Sequence, residues 1–210
     1  MGVAVTIIAA LYVDPKGAYS GLPGVEPWGL PERDARDYPG HHPVVAHPPC
    51  TRWCKLAGLV EARWGHRGIH YRRGEDDGCF DAALRAVRRW GGVLEHPALS
   101  EAWIAFGLNK PPAAGAWVNA DFVGGWTCQV EQLRYGHQAK KATWLYAHSV
   151  DLPSLRWGVT PDCEAPALVS LCRNKVDDGR PRLSPREASA TPPEFRDILI
   201  SMARTARRAA

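Results

Sequence analysis

The stretch that most constrains the fold of this chain is residues 44–50, which read VVAHPPC. Two β-branched residues and an alanine are typical of the end of a buried strand. Two prolines then stop that strand, because proline cannot donate to a ladder and fixes its own φ. Open α/β sheets place their chemistry in loops that follow strand ends. Cys50 is therefore a candidate nucleophile, although a buried and inert thiol fits the same pattern.

Periodic segments elsewhere predict an α/β fold with a mostly parallel sheet flanked by helices. Apolar and β-branched runs predict strands over 3–13, 93–95, 126–131 and 142–147. Helical spacing predicts helices over 76–90, 100–106 and 193–207. The Gly- and Pro-rich residues 17–40 predict a long loop with a short helix within 31–38, and 111–125 predict another loop. We expect one domain over 1–210, with an irregular region at 151–181.

The charge of the chain permits nucleic acid as a partner without requiring it. Lys and Arg total 26 against 22 Asp and Glu, a net charge of +4. The most basic segment, residues 63–73, either covers a phosphate backbone or forms a solvated connection.

The six cysteines predict reduced thiols in the cytoplasm rather than disulfides or a metal site. No CxxC pair occurs, no signal peptide is recognisable, and the apolar run 3–13 is too short to span a bilayer. Cys50 and Cys54 with His47 and His96 do not have a standard zinc spacing. We therefore expect no metal and no membrane association, and the oligomeric state stays open.

A second strand end repeats the arrangement at Cys50. Residues 93–97 read VLEHP, a short apolar strand followed by a carboxylate, a histidine and a proline. Two such loops should emerge at one edge of the sheet, so that Glu95 and Cys50 face one pocket. The alternative is a solvent-exposed or salt-bridged Glu95.

Taken together, these segments resemble the cytosine-5 DNA methyltransferases, in the order of that family. HPPC at 47–50 resembles the Pro-Cys loop with the nucleophile, and EHP at 95–97 resembles the Glu-Asn-Val segment. YGHQAKK at 135–141 resembles the YG-x-P-Q-x-R-x-R segment, and LSPREA at 183–188 resembles L-T-x-R-E-A. TPP at 191–193 resembles the start of the final helix. The set is also similar to short phage and prophage proteins that keep this core.

This resemblance implies a reduced, Rossmann-like methyltransferase core that modifies carbon 5 of a pyrimidine, cytosine in DNA, through a cysteine adduct at carbon 6. The implied methyl donor is S-adenosylmethionine. The DNA would be a duplex with a flipped base or a single strand, in the cytoplasm of a bacterial host if the protein comes from a phage. The implied catalytic residues are Cys50, Glu95 and Lys141. The implied substrate-binding residues are His47, Pro48, Pro49, Arg52, His96, Gln138 and Lys140.

The chemistry assigns a task to each charged group. A thiol with a pKa of about 8.5 is only a few per cent thiolate at neutral pH, so Arg52, His47 or Lys141 would favour the thiolate. A protonated Glu95 would donate to N3 of the ring, and Lys140 or Lys141 would hold O2. A solvated pair of lysines is the alternative for those two residues.

Departures from the family pattern keep two further hypotheses open. Residues 14–17, DPKG, stand where the family has a glycine-rich cofactor loop, and the region before Leu183 is shorter than a target-recognition domain. We therefore expect weak S-adenosylmethionine binding, or binding that depends on loop 17–40 folding over the cofactor. The first alternative is a pyrimidine enzyme that uses another electrophile or substrate without this cofactor. The second is a nucleic-acid-binding protein without catalysis.

Overall fold

A computed structural model describes residues 6–54, 57–67, 72–161, 164–169 and 179–207 of the chain. The strands are β1 (Ile8–Leu11), β2 (Val25–Trp28), β3 (Val44–Ala46), β4 (Gly92–Pro97), β5 (Val118–Asn119), β6 (Gly125–Glu131), β7 (Ala142–His148), β8 (Leu168–Val169) and β9 (Arg182–Leu183). The helices are α1 (Ala57–Trp64), α2 (Cys79–Trp90), α3 (Ala102–Ala105), α4 (Pro185–Ser189) and α5 (Pro193–Arg204).

Seven of these strands form one sheet in the order β2-β1-β3-β4-β7-β6-β5. The pairs β2–β1, β1–β3 and β3–β4 are parallel, whereas β4–β7, β7–β6 and β6–β5 are antiparallel. The expected α/β class is confirmed, but the sheet is mixed rather than mostly parallel. The physical reason is that β5, β6 and β7 are joined by connections without a crossover helix, and such connections reverse the chain.

The central strands separate two hydrophobic cores. Val45 of β3 and Val93 of β4 belong to the core that packs against α5, while Ala46 and Leu94 belong to the core that packs against α2. Successive side chains of a strand point to opposite faces, so this alternation continues into the loops that follow. It determines which face each polar residue at the strand ends occupies.

The segment from 17 to 40 is more ordered than its sequence predicts. It contains β2, which pairs in parallel with β1 at the edge of the sheet, and a 3-10 turn at Ala35–Asp37 instead of a longer helix. Pro27 lies inside β2 and conceals the strand from sequence patterns, because proline is disfavoured in ladders. An edge position tolerates it, because one side of an edge strand needs no donor.

The other predicted elements are present with shifted ends. Helix α2 begins at Cys79, α3 spans only Ala102–Ala105, and α5 ends at Arg204. Three of the predicted segments lie partly outside the described residues. These parts are residues 1–5 for the first predicted strand, 68–71 for the basic segment and 170–178 for the irregular region. No helix in the described part of the chain has both the length and the apolar composition that crossing a bilayer requires.

Asp76 fixes the start of α2 and anchors the Cys50 loop to it. Its carboxylate accepts hydrogen bonds from the Phe80 amide at 2.8 Å, the Gly78 amide at 3.1 Å and the Trp53 indole at 2.7 Å. Trp53 lies three residues after Cys50, and its amide bonds the Cys50 carbonyl at 3.0 Å. One buried carboxylate therefore caps a helix and holds the candidate nucleophile's loop in place.

We predict that Asp76→Ala lowers the free energy of unfolding by about 2–4 kcal/mol, because it leaves a buried indole and two backbone amides without their acceptor. Urea denaturation followed by circular dichroism measures this loss. Asp81→Ala is the matched control, since Asp81 forms an exposed ion pair with Arg85 on the same helix. Equal stability of the two variants would contradict the anchoring role.

Candidate functional site

Cys50 lies at the edge of the sheet where parallel strands β3 and β4 both end. The His47 amide still bonds the Leu11 carbonyl of β1 at 3.0 Å, and Pro48 and Pro49 then take the chain out of the sheet. The Cys50 thiol is free and half-buried. Glu95 and His96 come from the end of the neighbouring strand, so the structure brings both predicted loops to one sheet edge.

A hydrogen-bonded chain of side chains surrounds Glu95 on the α5 side of the sheet. Tyr19 Oη lies 2.8 Å from His47 Nε2, and His47 Nδ1 lies 3.0 Å from Glu95 Oε2. The Gln132 amide donates to Glu95 Oε1 and to the Thr143 hydroxyl, both at 2.9 Å. Both oxygens of the Glu95 carboxylate are therefore engaged and its orientation is fixed.

These contacts hold Glu95 in its ionised form. Burial alone would raise the pKa of Glu95, but the hydrogen bond from His47 and the charges of Lys141 and His47 outweigh it and lower that pKa to about 2. Burial and the charge of Glu95 raise the pKa of Tyr19, so the phenol keeps its proton, and its oxygen lies within hydrogen-bond distance of His47 Nε2. His47 then donates from Nδ1 to Glu95. The resting site therefore differs from the sequence expectation of a protonated Glu95.

Lys141, which directly precedes strand β7, brings a positive charge to the same edge. Its ammonium donates to the carbonyls of Ser189 and Ala190, each at 3.1 Å, which ties the end of α4 to the site. An ammonium has three N–H donors, so one more acceptor can be bound. The charge of Lys141 lowers the pKa of both Glu95 and Cys50. Of the two predicted lysines, the structure couples Lys141 to the site.

The Cys50 thiol is protonated in the resting protein. Burial raises the pKa of Cys50, and Glu95 and Cys54 raise it further, whereas the Cys50 backbone and Lys141 oppose the rise. The expected activation of the thiol is thus present in part, through Lys141, and is opposed by the neighbouring carboxylate. A group that takes up or screens the charge of Glu95 would favour the thiolate.

A cavity of about 220 Å³ opens beside Cys50 on the α2 side of the sheet. Its lining residues follow the two strand ends: Cys50, Trp53, Cys54, His96, Pro97, Ala98, Leu99 and Ser100. Glu95 is not one of them, because successive residues of β4 face opposite sides. Cys50 therefore lies between the polar network on one face and this cavity on the other.

His96 is a buried residue that lines this cavity, and its imidazole stays neutral. Its ring is 0% exposed, packs edge-on against Phe80 and stacks near Trp103, with centroids at 5.2 and 6.2 Å. Burial lowers the pKa of His96 to about 4, although the charge of Glu95 and the backbone at Pro49 work against this. Among the described residues, neither ring nitrogen has a partner with hydrogen-bond geometry.

The remaining predicted site residues lie in the loops next to these strands. Gln138 is exposed, and its amide donates to the nearby Gly136 carbonyl at 3.4 Å. Arg52 is half-buried, and its own carbonyl accepts from the Gly74 amide at 3.0 Å. Lys140 is adjacent to Lys141 in the chain and is half-buried. Pro48 is buried and Pro49 is exposed, so these prolines shape the loop.

Sequence reasoning missed Tyr19, Gln132 and Thr143. Tyr19 lies in a Gly-rich stretch without periodicity, and its partner His47 is 28 positions away. Gln132 directly follows β6 and Thr143 lies near the start of β7, next to the YGHQAKK segment. Polar residues at the ends of an adjacent strand pair could have indicated these two, whereas no local signal marks Tyr19.

The residues after β1 do not fit the glycine-rich loop that S-adenosylmethionine needs in the family. The amides of Lys16 and Gly17 are used within the turn, bonding Asp14 Oδ1 at 2.9 Å and the Asp14 carbonyl at 2.8 Å. A Cβ on Gly29 would lie 1.9 Å from the Val13 carbonyl, so the chain after β2 packs directly against the end of β1. These amides are not directed outward as an anion- or ligand-binding loop requires.

Within the described ranges, no three His, Cys, Asp or Glu side chains are grouped so that they could hold a metal ion. Comparison of the chain with protein-family models, curated proteins and solved structures finds no match.

We predict that Glu95→Gln makes Cys50 more reactive, because removing the carboxylate charge removes one cause of the raised thiol pKa. Lys141→Met should act in the opposite direction. The rate of Cys50 alkylation by iodoacetamide across pH 6–10, read by peptide mass spectrometry, measures both effects, with Cys54 as the internal reference. A Cys50 rate that is the same in both variants and the parent would contradict this coupling.

We also predict that acid destabilises the protein in two stages. His96 is neutral when folded but protonates near pH 6.5 when unfolded, so its stabilising contribution is complete above 6.5 and is lost as the pH falls to about 4. The contribution of Glu95 is complete above pH 4.5 and is lost toward about 2. Each loss is on the order of 3 kcal/mol.

Urea unfolding at a series of pH values measures these stages. His96→Asn should flatten the upper stage and Glu95→Gln the lower one. A stability profile that both variants share with the parent would show that other groups cause the acid sensitivity.

Proposed function

We propose that this protein is an enzyme that adds the Cys50 thiol to carbon 6 of a pyrimidine base, cytosine in DNA, and thereby activates carbon 5. The observation that carries this proposal is the electrostatic coupling of Cys50 to Glu95 and Lys141 at one sheet edge. A thiol, a fixed carboxylate and an ammonium with a free donor are the groups that addition to a pyrimidine ring requires.

The proton balance of the first step follows from the resting charges. As sulfur forms its bond to carbon 6, the thiol proton passes to ionised Glu95, which delivers it to N3 as negative charge builds there. Lys141 donates its remaining N–H to O2. The adduct is then neutral, and carbon 5 carries the nucleophilic electron pair of an enamine. His47 and Gln132 keep the carboxylate oriented while it takes and releases the proton.

The second step returns the base to aromaticity. Carbon 5 bonds an electrophile, and loss of its hydrogen as a proton then re-forms the double bond to carbon 6 and expels the Cys50 thiolate. The proton on N3 returns through Glu95 to the thiolate, so that the base leaves neutral and the thiol is restored. A solvent proton is the simplest electrophile and exchanges the hydrogen at carbon 5 without any co-reactant. Because the reacting carbons are inaccessible within a stacked duplex, the base must be flipped out or single-stranded.

The identity of the transferred group is a separate part of the proposal. The resemblance implies methyl transfer from S-adenosylmethionine within a Rossmann-like core in the cytoplasm of a bacterial host. The turn at Asp14 and the close contact of Gly29 with Val13 favour the alternative, in which another electrophile is used. We therefore assign no step to the methyl donor.

A non-catalytic nucleic-acid-binding protein is the second candidate, and the raised pKa of Cys50 favours it. A thiol that stays protonated at neutral pH is a weak nucleophile. The two candidates differ in whether bound DNA changes chemically, which the following experiment reads directly.

We predict that the parent protein exchanges deuterium at carbon 5 of cytosine in single-stranded DNA with solvent hydrogen. Cys50→Ala should slow this exchange by at least about hundredfold, because no other group supplies the thiolate. Cys54→Ala, which alters a neighbouring thiol of the same cavity, is the control and should stay within about twofold of the parent. Mass spectrometry of the released nucleosides measures the exchange.

Equal exchange by the parent and Cys50→Ala would overturn the assignment of the nucleophile. DNA binding without exchange would support the non-catalytic candidate. The masses of nucleosides from DNA of cells that express the protein would identify the transferred group.

A further inference from the structure

The cavity beside Cys50 has more room than a reacting hydrogen atom needs. Its volume is about 220 Å³, against about 30 Å³ for one water molecule in the liquid. Among the described residues, no Lys, Arg, Asp or Glu lines it, and Trp53, Pro97 and Leu99 make much of its wall apolar. A charged occupant would be poorly solvated there, so the cavity suits an uncharged group.

His96 indicates that the occupant is also polar. Its two ring nitrogens are buried, and neither has a partner at full hydrogen-bond geometry among the described residues, although the Pro49 carbonyl lies near the ring. Buried polar groups are nearly always satisfied, because an unsatisfied one costs free energy on folding. A neutral imidazole offers one donor and one acceptor, which an incoming hydroxyl group can satisfy.

If the substrate ring is held as in the proposed function, the cavity lies next to one particular edge of that ring. Cys50 then occupies carbon 6, Glu95 faces N3 and the amino group, Lys141 faces O2, and the sugar leaves from N1. Carbon 5 is the remaining edge. The cavity is lined by Cys50 but not by Glu95 or Lys141, and His96 faces away from Glu95 across the sheet.

We propose that this cavity is a pocket for a small, uncharged, polar group carried on, or arriving at, carbon 5 of the pyrimidine, and that His96 hydrogen-bonds that group. The inference rests on the proposed function for the orientation of the ring. A hydroxymethyl substituent has these properties, since its oxygen both donates and accepts.

Binding to the Cys50→Ser protein tests the pocket without covalent chemistry. The probes are three short single-stranded DNAs that differ only at carbon 5 of one cytosine, which carries hydrogen, methyl or hydroxymethyl. We expect the hydroxymethyl probe to bind about tenfold more tightly than the methyl probe, since the two are similar in size and only one can bond His96. Fluorescence anisotropy measures the three dissociation constants.

Variants at position 96 assign the preference to the imidazole. Adding His96→Phe should abolish the difference between methyl and hydroxymethyl, and His96→Gln should retain part of it. His148→Asn is the matched control, because His148 lies at the opposite end of the same sheet, bonded to the Val123 carbonyl. It should leave the preference unchanged.

Three results would overturn the proposal: no binding of any probe, equal binding of the methyl and hydroxymethyl probes to Cys50→Ser, or a preference that survives His96→Phe. Equal binding is measured without any variant at His96, so a His96 variant that fails to fold does not prevent this test of the proposal. If Cys50→Ser prefers the hydroxymethyl probe but the parent exchanges no deuterium, the proposed catalysis is refuted and the pocket is supported. If the parent exchanges deuterium but Cys50→Ser shows no such preference, the catalysis is supported and the pocket is refuted.

Discussion

The parallel pairing of β3 with β4 is the constraint on which the rest of the site depends. Its register places Val44 opposite Gly92, and a Cβ on Gly92 would lie 1.9 Å from the Val44 carbonyl, so only glycine permits this approach. Gly92 also has a φ of +136°, which L side chains rarely adopt. With this register fixed, His47 and Glu95 leave adjacent strands at the same level and come within hydrogen-bond distance. A one-residue slip would move Glu95 to the other face and break the contact.

The hydrogen bond between His47 and Glu95 helps to give the site a defined charge state. A buried carboxylate normally favours its neutral form, yet Glu95 is ionised because His47, Gln132 and Lys141 all stabilise the charge. The same negative charge keeps the Cys50 thiol protonated. The nucleophile and the carboxylate are therefore coupled, since a bound base that takes up or screens the charge of Glu95 also removes one cause of the raised thiol pKa. Such coupling explains how one site can be stable at rest and still reach a thiolate when a base is bound.

The sequence predicts the parts of this site that follow from local patterns. Apolar runs stopped by proline locate Cys50 and Glu95, and apolar residues at helical spacing locate α2 and α5, which cover the two faces. The contact between Tyr19 and His47 could not be predicted, because it joins a segment without periodicity to a strand 28 positions later. Strand β2 was hidden by Pro27, which only its edge position allows. The ionised state of Glu95 also depends on residues brought together from four separate segments, and no spacing rule encodes their distances.

The mixed sheet, which the sequence did not predict, is also what completes the site. In a fully parallel sheet, the residues that precede a strand lie at the edge opposite to those that follow its neighbours. Strand β7 runs antiparallel to β4, and its first residues therefore lie at the edge where β3 and β4 end. Lys141 precedes this strand directly, and Thr143 near its start supports Gln132. The bonds from Lys141 to Ser189 and Ala190 then hold the chain before α5 over the same edge. The reversal of β7 thus supplies the one cation that acts on both Glu95 and Cys50 among the described residues. A residue that precedes a parallel strand in that place would lie at the opposite edge.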